Sequence, residues 1–227
     1  MKPKDLKRLF TFEERRPLLA DGVFYVPFYY TGYENYAFPP LFELFGNDHP
    51  TCIEYCSGNG DWILEKAKQN REKNWIAVEK RFDRVRKIWS KTKNDYISNL
   101  FIVCGEAFTF TRFYLLNDTI EEAYINFPDP WPKPKHAKNR LIQPLFLDEL
   151  SRILRQDKKI TFVTDDSIYL EEAIQHFRRH AHFSPFFPAP YYKLDVSSYG
   201  TSWFENLWRE KGKQIHYTQF YKNETPN

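Results

Sequence analysis

An α/β fold with a doubly wound, mostly parallel sheet is what this 227-residue sequence predicts, on three observations. From Thr51 onward, short apolar runs alternate with stretches of helical periodicity. A turn carrying Gly58 and Gly60 follows the first of those runs. A carboxylate stands at or beside the end of each of the five runs that read as strands.

The elements follow in order. Residues 1–50 are rich in proline and aromatics, with Pro27, Pro39 and Pro40 as breakers, and read as an N-terminal extension with a short helix near 39–45. A single domain then spans 51–227. Thr51–Tyr55 is the first buried strand, followed by a helix over 62–70. Trp75–Val78 is the second strand, and Phe82, Val85, Ile88 and Trp89 fall at helical spacing after it. Leu100–Cys104 and Ala123–Phe127 are the third and fourth strands. A helix over 145–154 leads to a fifth strand, Ile160–Thr164. Leu170, Ala173, Ile174, Phe177 and Ala181 then form the apolar stripe of an amphipathic helix, and Gln214–Tyr221 supplies a final strand.

Composition narrows the classes. No run of about 18 uncharged apolar residues occurs, so no membrane span is expected. The N-terminus is polar and lacks a signal-peptide core, so a cytoplasmic location follows. Cys52, Cys56 and Cys104 cannot all pair and lie in apolar surroundings, which predicts buried free thiols. His176 and His180 are four apart but have no third ligand, so no metal is assigned. The net charge is only +3, yet residues 65–93 hold eleven Lys or Arg against four acids. Lys133, Lys135, Lys138 and Arg140 add a loop without an acid. Clustered cations beside aromatics are the footprint of a polyanion partner, although solvated helix faces look much the same.

In doubly wound sheets, ligands bind beyond the carboxyl ends of the strands. Glu54, Glu79, Glu106, Asp129 and Asp165 all fall there. Gly58 and Gly60 let the backbone approach a nucleoside, but Ile63 occupies the place where a dinucleotide fingerprint needs a third glycine. Glu79 holds the position that takes ribose hydroxyls, and Glu106 could accept from an adenine amino group. An acidic rim of this kind suits a cationic adenosine ligand without pyrophosphate, and S-adenosylmethionine has that chemistry.

With those residues in view, Glu54-Tyr55-Cys56-Ser57-Gly58-Asn59-Gly60 resembles the E-I-G-x-G-x-G turn of class I methyltransferases, and Ala77-Val78-Glu79 their ribose-binding strand end. Asn126-Phe127-Pro128-Asp129-Pro130-Trp131-Pro132-Lys133, with Lys135, His136, Lys138 and Arg140, resembles the signature of bacterial tRNA (guanine-N7-)-methyltransferases. Val163-Thr164-Asp165-Asp166 and Ser202-Trp203-Phe204-Glu205 match two further family elements. Cys56 stands for a glycine, Glu106 for an aspartate and Ser202 for a threonine.

The resemblance implies a seven-stranded sheet and methyl transfer from S-adenosylmethionine to N7 of guanine 46 in the tRNA variable loop. It implies that Glu54, Gly58, Gly60, Glu79, Glu106 and Asp129 contact the cofactor. Lys133, Asp165, Ser202, Trp203, Phe204 and Glu205 would face the substrate guanosine. Asp129, fixed between Pro128 and Pro130, is the expected catalytic residue. Trp131 and Trp203 are candidates to stack on an extruded base, and Lys133, Lys135 and Arg140 to hold phosphates. The protein is expected to act as a monomer or homodimer.

Two rival readings remain open. Amino-group methyltransferases commonly carry Asp/Asn-Pro-Pro-aromatic, whereas Asp129-Pro130-Trp131-Pro132 displaces the second proline. A non-catalytic RNA-binding protein on the same fold would be expected to lose some of the strand-end acids. A carbon-5 cytosine enzyme would need a Pro-Cys nucleophile, and none occurs.

Overall fold

Continuous burial along the central strands is the first consequence of their apolar sequences. In the computed structural model, which describes residues 1–223, every residue of β3 (Thr51–Tyr55) and β4 (Asn74–Glu79) is buried. Parallel strands covered on both faces read this way. The chain forms two units, Met1–Leu115 and Leu116 onward.

The first unit adds β1 (Leu18–Ala20), β2 (Val23–Tyr25) and β5 (Leu100–Cys104). Its strand order is β1-β2-β5-β4-β3. The run β2-β5-β4-β3 is parallel, and β1 folds back antiparallel on β2. Residues α1 (Leu41–Phe45), α2 (Asp61–Gln69), α3 (Phe82–Asn94) and α4 (Ala107–Tyr114) are helical. The β1–β2 turn is Asp21-Gly22, both at positive φ, the pairing that two-residue hairpins favour. The N-terminal residues therefore supply two strands of this unit and not only the short helix at 41–45.

In the second unit, β6 (Ile120–Asn126) runs parallel to β7 (Lys159–Thr164), and β10 (His216–Lys222) antiparallel to β7. The short strands β8 (Phe183–Pro185) and β9 (Tyr192–Leu194) pair with β10. Its helices are α5 (Pro144–Ile153), α6 (Ser167–Arg179) and α7 (Trp203–Glu210). The architecture is thus mixed and has ten strands among the described residues, where the family resemblance implies seven. The additions are short: β1, β2, β8 and β9 have three residues each.

Candidate functional site

Each unit carries candidate site residues at or beyond the carboxyl ends of its parallel strands. In the first unit, β3 runs into a turn with Cys56, Gly58 and Gly60 at positive φ (63°, 57° and 80°). Gly60 starts α2, and a Cβ there would meet the Ile88 side chain at 2.8 Å, so α2 and α3 need it bare. Cys56 adopts the left-handed conformation despite its side chain, at a cost of about 1 kcal/mol or more.

Glu79 organises this turn. Its Oε2 accepts the Gly58 amide at 2.8 Å and its Oε1 the Arg81 amide at 2.8 Å, with Arg84 Nη1 3.7 Å away. Burial nevertheless pushes the carboxyl above the ordinary range, more strongly than the amides and the arginine pull it down. Glu54 pairs in register with Ala77, two residues before Glu79, so the pleat puts both acids on one sheet face. Both are buried. Two desolvated carboxylates beside a left-handed, glycine-bearing turn fit a cationic adenosine ligand. A diphosphate would meet their charge.

Glu106 follows β5, as the sequence leads one to expect, and serves there as the N-cap of α4. It accepts from the amides of Phe108 (3.2 Å) and Thr109 (2.8 Å) and from the Thr109 hydroxyl (2.7 Å). Any contact with an adenine amino group must use the lone pairs the cap leaves.

In the second unit, the loop after β6 opens with Phe127 at φ 47° and carries Trp131 at φ 44°. Asn126 accepts the Tyr199 hydroxyl at 2.6 Å, and Phe127 packs on Val163, Ile215 and Tyr217. Pro128 is buried while Asp129 is exposed between the two prolines. Lys133 and Lys135 are exposed as well. Trp131 meets His136 edge-on at 5.8 Å.

Arg140 departs from its expected role as a phosphate contact. It is buried, ion-paired with Glu172, and its Nε donates to the Pro130 carbonyl at 2.8 Å. Its guanidinium also lies 5.1 Å from the Tyr169 ring centroid. This arginine tethers the loop from inside.

Asp165 follows β7 and is ion-paired with Lys213, its side chain 8% exposed. Asp166 beside it caps α6 through the Tyr169 amide at 2.8 Å. Ser202 caps α7, its hydroxyl accepting the Glu205 amide at 3.1 Å. Trp203 is exposed and Phe204 half-buried. Glu205 is 3% exposed, and its Oε1 accepts from Arg209 Nε (3.0 Å), Arg209 Nη2 (2.9 Å) and the Tyr217 hydroxyl (3.0 Å). Burial and the Glu205 charge hold the Tyr217 phenol well above its usual range. Arg209, Tyr217, Lys213 and Tyr199 were not legible as site residues. Only Arg209 had a signal, its i, i+4 spacing from Glu205.

None of the three cysteines forms a disulfide, and only Cys52 is buried; Cys56 and Cys104 are half-buried. Burial pushes the Cys104 thiol up to about 12. Among the described residues, no helix is long and apolar enough to cross a membrane.

The chain is similar to known proteins in sequence and in fold. A family model described as a putative methyltransferase matches residues 48–218. A tRNA (guanine-N(7)-)-methyltransferase of Chlamydia muridarum is 50% identical over 222 residues, 98% of each chain. One from Bacillus cytotoxicus is 32% identical over 174 residues, 77% of this chain and 80% of the other. Among solved structures, the 16S rRNA methyltransferase KamB aligns with TM-score 0.57 at 15% identity, covering 83% of this chain and 95% of that one. A structure described as an antibiotic-related methyltransferase gives 0.55 at 16% identity, covering 82% of this chain and 92% of that one. At such identities the structural likeness speaks for the fold, that of class I S-adenosylmethionine-dependent methyltransferases. Near-full-length identity at 50%, together with the strand-end acids and the loop after β6, establishes that this chain belongs to the tRNA (guanine-N7-)-methyltransferase family.

Proposed function

We propose that this protein transfers the methyl group of S-adenosylmethionine to N7 of guanine 46 in the tRNA variable loop. The observation that carries the reading is half-identity over 98% of the chain with proteins of that name. The cofactor supplies an electrophilic methyl group on a sulfonium.

The chain's own residues divide the remaining work. Glu54 and Glu79 accept hydrogen bonds from the cofactor's amino group and ribose hydroxyls, and Gly58 and Gly60 admit its backbone-close approach. Glu106 orients the adenine with the oxygen capacity its cap leaves. Guanine N7 already presents an in-plane lone pair, so no general base is needed before transfer. What is needed is positioning and charge stabilisation. Asp129, exposed between two rigid prolines, is the carboxylate beside the positive charge that develops on the purine.

Asp165 and Glu205 accept from N1–H and the exocyclic amino group of guanine, both donors. Ser202 fixes Glu205 by capping α7, and Phe204, edge-on to Trp203, faces the guanosine with it. Trp131 or Trp203 supports the unstacked base. Lys133 and Lys135 hold phosphates. Residues 51–227 form the catalytic domain, residues 1–50 extend it, and the enzyme works in the cytoplasm as a monomer or homodimer.

The test is incubation with total tRNA and methyl-labelled cofactor, then nucleoside analysis. Label in 7-methylguanosine is expected. Label in another nucleoside would remove the N7 assignment, and no label together with no calorimetric cofactor binding would favour a non-catalytic RNA-binding protein.

A further inference from the structure

The N-terminal arm helps to enclose a cavity of about 410 Å³ that the proposed reaction does not use. Its lining includes Tyr25 and Cys104, paired in register at the ends of β2 and β5. Cys104 is in turn in register with Glu79, so the cavity lies on the same sheet face as the cofactor acids, further along the strand order. Phe10 meets Tyr25 edge-on at 5.9 Å, and Phe82 stands 6.2 Å from Tyr25.

Arg15 holds the enclosure together. Its Nε donates to the Phe28 carbonyl at 2.9 Å and its Nη2 to that of Tyr29 at 2.7 Å, while Nη1 reaches the Phe12 carbonyl. The arm is thereby fixed to the loop after β2 before any ligand arrives, which lowers the ordering cost of binding.

Three features point to a ligand. The Tyr25 side chain is 2% exposed, and its hydroxyl has no hydrogen-bond partner. A buried donor left unmet is costly, and a ligand acceptor would meet it. At the mouth, Phe12 and Tyr29 are 62% and 83% exposed, a stacking surface rather than a core. Arg8 lies 5.2 Å from the Phe82 ring centroid, Lys80 is exposed nearby, and no carboxylate lines the cavity. Aromatic walls with cations and without acids are opposite in character to the rim formed by Glu54 and Glu79. They suit a flat base with a phosphate, not a cationic adenosine.

We propose that this cavity takes one unstacked nucleotide of the tRNA, other than the methylated guanine. Its base stacks among Phe10, Phe12 and Tyr29, an acceptor on it meets the Tyr25 hydroxyl, and its phosphate is held by Arg8 and Lys80. The identity of the RNA rests on the proposed function.

Phe12→Ala, Tyr29→Ala and Tyr25→Phe test it, with an in vitro transcribed tRNA as the probe. Filter binding and steady-state kinetics should show tRNA Kd and KM raised about tenfold by the ring deletions. The kcat and the calorimetric affinity for S-adenosylmethionine should be unchanged. Tyr25→Phe should weaken tRNA binding while thermal stability stays level or rises, because it deletes an unmet donor. Unaltered tRNA binding in all three variants would overturn the proposal. So would a loss of cofactor affinity in any of them, which would give the cavity to the cofactor. The binding arm stays informative even if no 7-methylguanosine forms, so failure of the reaction reading is seen separately.

Discussion

Asp129 stands in a segment whose backbone has little freedom. Pro128 and Pro130 fix two φ angles around it, and Phe127 and Trp131 at either side are held at positive φ. Such strain is retained when the surroundings over-determine it, and here Phe127 is anchored on Val163, Ile215 and Tyr217. A carboxylate fixed in this way requires no reorganisation when charge develops nearby. Asp129→Asn keeps the shape and one acceptor oxygen, turns the other into a donor and removes the charge, so single-turnover rates should fall about 10²–10³-fold. The tRNA Kd from filter binding should hold. An unchanged rate would rule out the electrostatic role. The rigid setting of Asp129 was legible from its flanking prolines, but the strained neighbours were not, because nothing in Phe127 or Trp131 as residue types announces a left-handed backbone.

At the scale of elements, the loop after β6 depends on Arg140, and the sequence pointed the wrong way. An arginine closing a run of Lys133, Lys135 and Lys138 reads as one more surface cation. Its neighbours settle the matter: Glu172 pairs with it, the Pro130 carbonyl accepts its Nε, and the Tyr169 ring lies beneath. Arg140→Ala would leave Glu172 unpaired in a partly buried position and release the loop, costing about 2 kcal/mol in urea denaturation. Its effect on the salt dependence of tRNA binding should be nil. Unchanged stability with a shallower salt slope would return Arg140 to the phosphate contacts. Where burial was two-sided, the sequence was easier to read. β3 and β5 begin and end where their apolar runs do, because a strand covered on both faces has no polar alternation to blur its limits. The hairpin of β1 and β2 escaped notice despite Asp21-Gly22, since three-residue strands leave almost no periodicity. Helix α4 escaped as well: its buried stripe of Ala107, Phe110, Thr111 and Tyr114 includes a threonine, and its exposed side carries Phe113 beside Arg112, so polarity does not follow burial along Ala107–Tyr114.

For the whole molecule, a net charge of +3 says little about a polyanionic partner; what counts is which cations are spent internally. Many of those in 65–93 are. Lys91 pairs with Asp61, Lys68 with Asp95 and Arg81 with Asp83, while Arg86 donates to the Pro3 carbonyl. The dense run that first suggested RNA is therefore in large part a network within its own unit. Lys133 and Lys135 are exposed on the loop that carries Asp129, where a phosphate contact would position the substrate as well as attract it. Each such contact releases condensed counterions, so the logarithm of the tRNA association constant should fall linearly with that of salt. Lys133→Ala and Lys135→Ala should each reduce the slope by about one unit. Lys68→Ala, which removes a cation already neutralised by Asp95, should leave the slope alone and serves as the internal comparison. If Lys68 proved as effective as Lys133, attraction would be a diffuse property of the charged surface, and the loop lysines would lose their assignment. A salt-independent Kd would remove phosphate recognition from the account altogether.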